Sequence, residues 1–352
     1  MASSQRGEGA GGITFRAVDT SSDAAAASEA AQPQQQQVHV SVLSRILDLE
    51  NLDLGPVPAR PGSQAKADIF RGFNLAEGTF LPTRVFGGQL IGQGLVAASR
   101  TVDGNQPVHS LHCYFLRPGT PASPFVYVVD RTRDGTSFST RTVTAQQRGE
   151  AIFRMTCSFH APENVAFHHA VPMPTDVPTP EGLPTQGERL HRAGRNPRLP
   201  PDVRTALVAR ADTPFPLDFR QVVGNTAPGV TPSRTLAWFR SPTRLPDDPA
   251  LHRCVAAYGS DLALLETALV PHRKPGQKGR LTRHMASIDH SMWFHAPFRA
   301  DDWLLMEMES PAASGGTGLA SGRLWDAARG VLVASVMQEG LIRPVSNAAA
   351  KL

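Results

Sequence analysis

The feature that most limits how this chain can fold is an order of elements spelled twice: a strand, one helix, then four strands. In the first half, residues 69–73 read as a strand and 85–100 as a helix. Strands follow at 108–116, 125–129, 137–147 and 151–159, with turns at Arg117-Pro118-Gly119, Arg133-Asp134-Gly135 and Arg148-Gly149. In the second half, 234–240 is the strand and 254–269 the helix. The strands after it lie at 285–294, 303–310, 318–325 and 331–342. Tyr114-Phe115-Leu116-Arg117-Pro118 lines up with Trp293-Phe294-His295-Ala296-Pro297. One helix followed by a run of antiparallel strands is an α+β unit, and the chain reads as two of them.

Both helices are unusual. Residues 85–100 keep Gly87, Gly88, Gly92 and Gly94, although each glycine costs a helix about 1 kcal/mol relative to alanine. Gly88 and Gly92 are one turn apart and share a face, which predicts a backbone pressed against a neighbour, here a sheet curled around the helix. In the second helix Tyr258, Leu262, Leu265 and Leu269 recur with helical period and predict one continuous apolar face. Asp261 sits on its flank. An acid there is a cap, a solvated edge residue or a carboxylate aimed beneath the helix.

Residues 1–37 are low complexity, with an alanine run at 24–27 and a glutamine run at 34–37, and read as disordered. They carry no apolar core of a secretory signal, and their acids argue against an organellar presequence. The first unit is expected over 38–162 and the second over 217–343. Between them, 163–216 is a Pro-rich linker running over the surface, with one short helix near 203–210. Residues 344–352 form a polar tail ending Ala350-Lys351-Leu352, which is similar to the Ser-Lys-Leu peroxisomal address.

Composition excludes several classes. At 41% hydrophobic and 19% charged residues the chain is globular, and no apolar run reaches the roughly 20 residues of a membrane span. A formal charge of +4 from 35 basic and 31 acidic residues, scattered along the chain, gives no nucleic-acid signature. It would suit a phosphorylated ligand. Cys113, Cys157 and Cys254 are odd in number and far apart, so they make neither a metal knuckle nor a disulfide framework, and they read as buried residues in a reducing compartment.

Two strands carry polar side chains that an ordinary core strand would not: Ser287, Asp289 and His290 in one, Gln338 in the other. Asp289 and His290 are adjacent, so they point to opposite faces and cannot share a pocket. His109, His112 and His295 read as sheet residues, because no ligand spacing supports a metal. Gly87-Gly88-Gln89 lacks the lysine and glycine spacing of a nucleotide loop and reads as helix packing. No Gly-x-Ser-x-Gly elbow is present, so a serine nucleophile is not expected.

Five motifs, in order, resemble the acyl-CoA thioesterase II family. They run from Arg84 to Leu95, from His109 to Gly119, from Arg133 to Phe138, from Ile288 to His295 and from Gln338 to Gly340. The resemblance spans 43–343, and with the terminal tripeptide it points to the peroxisomal long-chain branch. It implies a double hotdog, each unit a long helix wrapped by an antiparallel sheet. It also implies hydrolysis of medium- to long-chain fatty acyl-CoA to free fatty acid and CoA, without metal or cofactor. Three residues would orient the attacking water: Asp261 in the Ala-Tyr-x-Ser-Asp context, Ser287 before Ile-Asp-His-Ser, and Gln338 opening Gln-Glu-Gly. Asp261 would accept the water's proton. Ser287 and Gln338 would hold the water, and one would steady the oxyanion. A peroxisomal import receptor and a second copy of the chain are the expected partners. The 1–37 extension, the 272–283 segment and the linker depart from the family and bear on substrate entry. Two other readings stand beside this one. An enoyl-CoA hydratase-like hotdog enzyme would need an Asp and a His in one site. A non-catalytic acyl-CoA-binding protein would have lost one of the three polar positions.

Overall fold

The computed structural model describes residues 43–52, 67–73, 84–222, 233–273 and 281–345. The disordered reading of 1–37 and the terminal tripeptide lie outside them. Helix α1 (43–47) and strands β1 (Glu50–Asn51) and β2 (Ala67–Gly72) precede helix α2 (Gly87–Ser99), which is followed by β3 (Val108–Phe115), β4 (Phe125–Arg133), β5 (Phe138–Gln147) and β6 (Glu150–His160). Helices α3 (Gln186–Gly194) and α4 (Pro201–Ala211) occupy the linker. The second unit comprises β7 (Asp218–Val222), β8 (Ser233–Arg240), α5 (Pro249–Ser260), a 3-10 segment (Leu265–His272), β9 (Thr282–Ser287), β10 (Asp289–Phe294), β11 (Leu304–Ser314), β12 (Thr317–Asp326) and β13 (Val331–Pro344). No helix among the described residues is long and apolar enough to cross a membrane.

The strands form one antiparallel sheet in the order β1-β2-β4-β5-β6-β3-β10-β13-β12-β11-β8-β7, with β9 also on β13. Read outward from the seam between β3 and β10, both halves run through the same sequence of strands, so the duplicated unit and the double hotdog are the architecture. The seam carries the internal symmetry. His112 faces Ser291 at its centre. Two steps away, Ser110 faces Trp293 and Tyr114 faces Asp289. The exchange that matches Tyr114 to Trp293 therefore holds in the register as well as in the sequence.

Four expectations are corrected. The helix expected over 254–269 begins earlier and ends at Ser260. Asp248 caps its start by accepting from Ala250 N at 2.9 Å, with Pro249 in the first turn. Beyond it, Ala263 takes the left-handed conformation (φ 62), and the chain continues as the 3-10 segment. That segment lies on the sheet because Gly340 leaves room for the Leu265 side chain, which a Cβ there would overlap.

Second, the strand expected over 285–294 is two strands. Four steps from Ser287 to Ser291 match only three along β13 from Gly340 to Met337, so one extra residue bulges out at Ile288. Third, the linker holds two helices, not one, and its chain packs on the sheet's outer face. Trp238 Nε1 donates to Pro178 O at 2.9 Å, and Met173, Val177 and Leu183 cover a cluster of Trp238, Leu305 and Trp325.

Fourth, Gly88 and Gly92 face the other helix and not the sheet. A Cβ on Gly88 would overlap Tyr258 O, and one on Gly92 would lie 3.3 Å from Cys254 O. Gly94 is the glycine that faces the sheet, 3.2 Å from the flexible end of Met155. The main core is continuous across both units, from Ile91 and Leu95 through Val255 to Met306 and Val333. Cys113, Cys157 and Cys254 are all buried in it as free thiols.

These contacts separate two glycines. Gly88→Ala forces backbone against backbone and is expected to cost about 1–3 kcal/mol, a fall in Tm of roughly 2–4 °C per kcal/mol. Gly94→Ala meets the movable end of Met155 and touches Phe153 and Val143 at ordinary contact distances, and it gains helix propensity, so its Tm is expected within a degree or two of the parent. Thermal denaturation of both variants by circular dichroism checks the pair.

Candidate active site

The crossing at Gly88 and Gly92 brings the N-terminus of α2 against the C-terminus of α5, and Asp261 is the residue that closes α5. Three donors converge on its carboxylate. Gln338 Nε2 donates to Oδ1 at 2.8 Å and Ser287 Oγ donates to the same oxygen at 3.2 Å. The N–H of Gly88, in the first turn of α2, supplies the third. Gln338 Nε2 also donates to Ser287 Oγ. The three site residues expected from the sequence are thus one hydrogen-bonded triangle, built from the end of a helix, the end of β9 and the middle of β13. Gly87 is required beside them, because a Cβ there would stand 2.7 Å from Asp261 Oδ2.

Burial shapes the acid. Loss of hydration pushes the Asp261 carboxyl up to about 6, opposed by the hydrogen bonds from Gln338, Ser287 and Gly88. Asp261 and Ser287 keep part of their surface open to a cavity of about 520 Å³, within the usual range of ligand pockets. Its walls include Phe86, Leu90, Phe115, Leu262, Met285 and Ile288, and Arg84, Arg117 and His284 also line it. Gln338, the corner of the triangle that does not line the cavity, is fully buried.

His290 is the polar residue that the sequence reading set aside. It is fully buried, with Nδ1 3.3 Å from Gln338 Oε1 and Nε2 3.0 Å from Ser260 Oγ. Asp289 does point the other way, as alternation requires. It serves the bulge, accepting from Glu339 N at 2.7 Å while Ile288 N donates to Glu339 O at 2.9 Å. Neither Asp289 nor His290 lines the cavity. His109, His112 and His295 are each within 2.8–3.0 Å of a serine on a neighbouring strand, Ser158, Ser291 and Ser335. The signal that could have found His290 is its step from Ser287. Plain alternation puts residues three apart on opposite faces, and only a bulge returns them to one.

The site can be set beside known proteins. Residues 78–160 match the model of the acyl-CoA thioesterase N-terminal domain, and 211–341 match that of acyl-CoA thioesterase. Acyl-coenzyme A thioesterase 8 of Rattus norvegicus is 42% identical over 310 residues, covering 86% of this chain and 89% of its own. Acyl-CoA thioesterase 2 of Haemophilus influenzae is 36% identical over 262 residues, 74% of this chain and 88% of its own. Among solved structures, the acyl-CoA thioesterase II TesB2 of Mycobacterium marinum superposes with a TM-score of 0.64 at 39% identity, covering 87% of this chain and 98% of that one. A hotdog-fold protein of unknown function from Alicyclobacillus acidocaldarius, at 20% identity and a TM-score of 0.60 over 86% of this chain and 98% of its own, shares the fold. Relatives of this identity and coverage, with both halves matched to the same family, show that the chain belongs to the acyl-CoA thioesterase family and is a thioester hydrolase.

Proposed function

We propose that the enzyme hydrolyses medium- to long-chain fatty acyl-CoA by direct attack of a water that Asp261 deprotonates. The observation that carries this reading is a count of lone pairs. An ionised carboxylate offers about four acceptor positions. Asp261 uses three, on Gln338, Ser287 and Gly88, and the fourth is left for a water on the cavity side. A base with a pKa near 6 is ionised at neutral pH, yet basic enough to take a proton as the oxygen attacks.

Attack forms the bond from water oxygen to carbonyl carbon and places the carbonyl electrons on the oxygen. The proton passes to Asp261. Collapse breaks the carbon–sulfur bond, and the departing CoA thiolate takes the proton back. Ser287 holds the water in line. The developing oxyanion is served by the positive end of the α2 dipole, at the N-terminus where Gly87 lines the cavity. The apolar walls around Leu90 and Met285 take the acyl chain. Arg84 and Arg117 at the same cavity attract the CoA phosphates. The surroundings of Asp289 and His290 favour no hydratase reading, because these two side chains lie on opposite faces of β10 and neither reaches the cavity. A peroxisomal location is part of the proposal. It is supported by the name of a Saccharomyces cerevisiae relative at 25% identity, peroxisomal acyl-coenzyme A thioester hydrolase 1. The import receptor would read Ala350-Lys351-Leu352. A homodimer is the proposed assembly.

Four measurements test this reading. In thiol-release assays over a panel of acyl-CoA chain lengths, Asp261→Asn is expected to lose about 10²–10³-fold in kcat with binding retained. The parent's kcat/KM should fall tenfold per pH unit below a limb near 6, because protonation removes the base. Equal rates for parent and variant would remove Asp261 from the chemistry. Arg84→Ala is expected to raise KM roughly 10-fold with kcat unchanged, and to weaken the salt dependence of KM. An unchanged KM would release Arg84 from substrate binding. A fluorescent fusion lacking the last three residues is expected to stay outside peroxisomes that the full chain enters.

A further inference from the structure

We infer that His290 is a positioning residue for hydrolysis: donating from Nδ1 to Gln338 Oε1, it fixes which end of the Gln338 amide faces Asp261. The inference rests on the water-activation reading above. It starts from an ambiguity in the side chain itself. A half-turn about the last torsion of glutamine exchanges its oxygen and nitrogen with almost no change of shape. One orientation offers Asp261 and Ser287 two N–H donors. The other sets a carbonyl oxygen against the carboxylate and against the serine oxygen.

Something must choose between them, and it stands on the far side of the amide. Gln338 is wholly enclosed, and the hydrogen-bond partner of its Oε1 is His290 Nδ1 at 3.3 Å. His290 is itself fully buried and faces Ser260 Oγ with its other nitrogen at 3.0 Å. Burial lowers the imidazole to about 4, so it is neutral at working pH and carries a single ring proton. With that proton on Nδ1, Gln338 Oε1 has its donor, and Nε2 takes the Ser260 hydroxyl proton in place of Ala257 O, which Ser260 Oγ also reaches at 3.0 Å. With the proton on Nε2, a bare ring nitrogen would face a bare amide oxygen, both buried. Charge on Asp261 thus selects the amide orientation, and the amide orientation selects the tautomer. Read in the other direction, a histidine whose Nε2 takes the Ser260 hydroxyl proton in place of Ala257 O holds the amide in the form the base requires.

The backbone is arranged for this. Counted along a regular strand, Ser287 and His290 would lie on opposite faces. The extra residue at Ile288 puts both against Gln338, and the Asp289 carboxylate satisfies Glu339 N within the bulge. In the first unit, the residue that the seam's symmetry matches to His290 is Leu111, and the one matched to Gln338 is Cys157. The pair of polar residues occurs together in the second unit and is replaced together in the first.

The experiment uses the full chain, with His290→Leu, His290→Asn, Ser260→Ala and Gln338→Ala, alone and with Gln338→Ala combined with His290→Leu. The shorter amide of asparagine places an N–H close to where Nδ1 stands. His290→Leu is expected to lower kcat by about 10–100-fold, the usual effect of removing a group that orients another, with KM within about twofold. It should also move the acid limb of kcat/KM upward from near 6, because the Gln338 hydrogen bond is one of the contacts that hold Asp261 down. The other titratable or charged groups about Asp261 are Cys113 of β3, Tyr258 of α5, and Arg84, Arg117, Glu266 and His284 at the cavity; all stay as they are in these variants. His290→Asn should recover most of the rate and restore the limb. In the Gln338→Ala background, His290→Leu should cost nothing more.

Equal losses in the leucine and asparagine variants, an unmoved limb, or losses that multiply with Gln338→Ala would overturn the inference. If His290→Leu does not fold, Ser260→Ala carries the same test, with a smaller loss and a limb moved in the same direction expected. An unmoved limb and unchanged rate there would count against it. Asp261→Asn in the same assay separates the two levels. A fully active Asp261→Asn sinks the water-activation reading itself. An inactive one beside a parent-like His290→Leu sinks only the role of His290.

Discussion

Everything in this site depends on two helix ends that meet. A carboxylate at the C-terminus of its own helix sits at the negative end of that helix's dipole, a poor place for charge. Here the antiparallel partner brings its N-terminus to the same point, and Gly88 N–H reaches the acid directly. That approach requires backbone against backbone, which explains glycine at 88 and 92 despite its helix cost. The positive end of α2 does not cancel the burial of Asp261, however. Desolvation still prevails and leaves the carboxyl near 6, between a fully solvated acid and a neutral one. The helix crossing is therefore both the structural joint between the two units and the means by which the acid is tuned.

Duplication explains the architecture, and the differences between the copies explain why the triangle of Asp261, Ser287 and Gln338 lies in one of them. The first unit carries Leu111 and Cys157 at the places of His290 and Gln338. Opposite Cys157 stands Arg141, where the second unit has Ala320 opposite Gln338. The Arg141 guanidinium is buried, donating from Nε to Thr101 Oγ1 at 2.8 Å and from Nη2 to Thr101 O at 2.9 Å, with further bonds to Arg133 O and Thr140 O. It ties the end of α2 to β5, a structural use of the same inward-facing position. In the second unit the small Ala320 leaves that space to Gln338 and to the residues that Gln338 orders.

Much of this was legible in the sequence because it rests on period. Strands with alternating apolar residues were placed within a few residues, and the match of Tyr114 to Trp293 carried over to the register of the seam. Motif resemblance marks Asp261, Ser287 and Gln338, and they meet in space. What period could not supply was the end of α5. Leu262, Leu265 and Leu269 keep a helical rhythm, yet Ala263 turns left-handed and the later leucines pack as a 3-10 segment in the room left by Gly340. That termination is set by a tertiary contact, and a local pattern does not carry it. The start is different: Asp248 and Pro249 spell a cap and a first turn in the sequence itself.

The treatment of Asp289 and His290 shows how a correct local rule can mislead at a functional site. Adjacent residues on a strand do point apart, and these two do. From that it follows that they cannot share a pocket. But the rule speaks only of neighbours on a regular strand, and here the strand is broken by one residue so that two side chains three apart can act on the same amide. The break leaves a backbone donor on β13 to be satisfied, which Asp289 does from the outside. It also frees the inner face for His290. The pair divides its work across the sheet: the acid holds the backbone in the irregular shape, and the imidazole uses that shape to reach Gln338. A regular strand would have given either Ser287 or His290 to the site. The bulge gives both, at the cost of one ladder position next to Asp261.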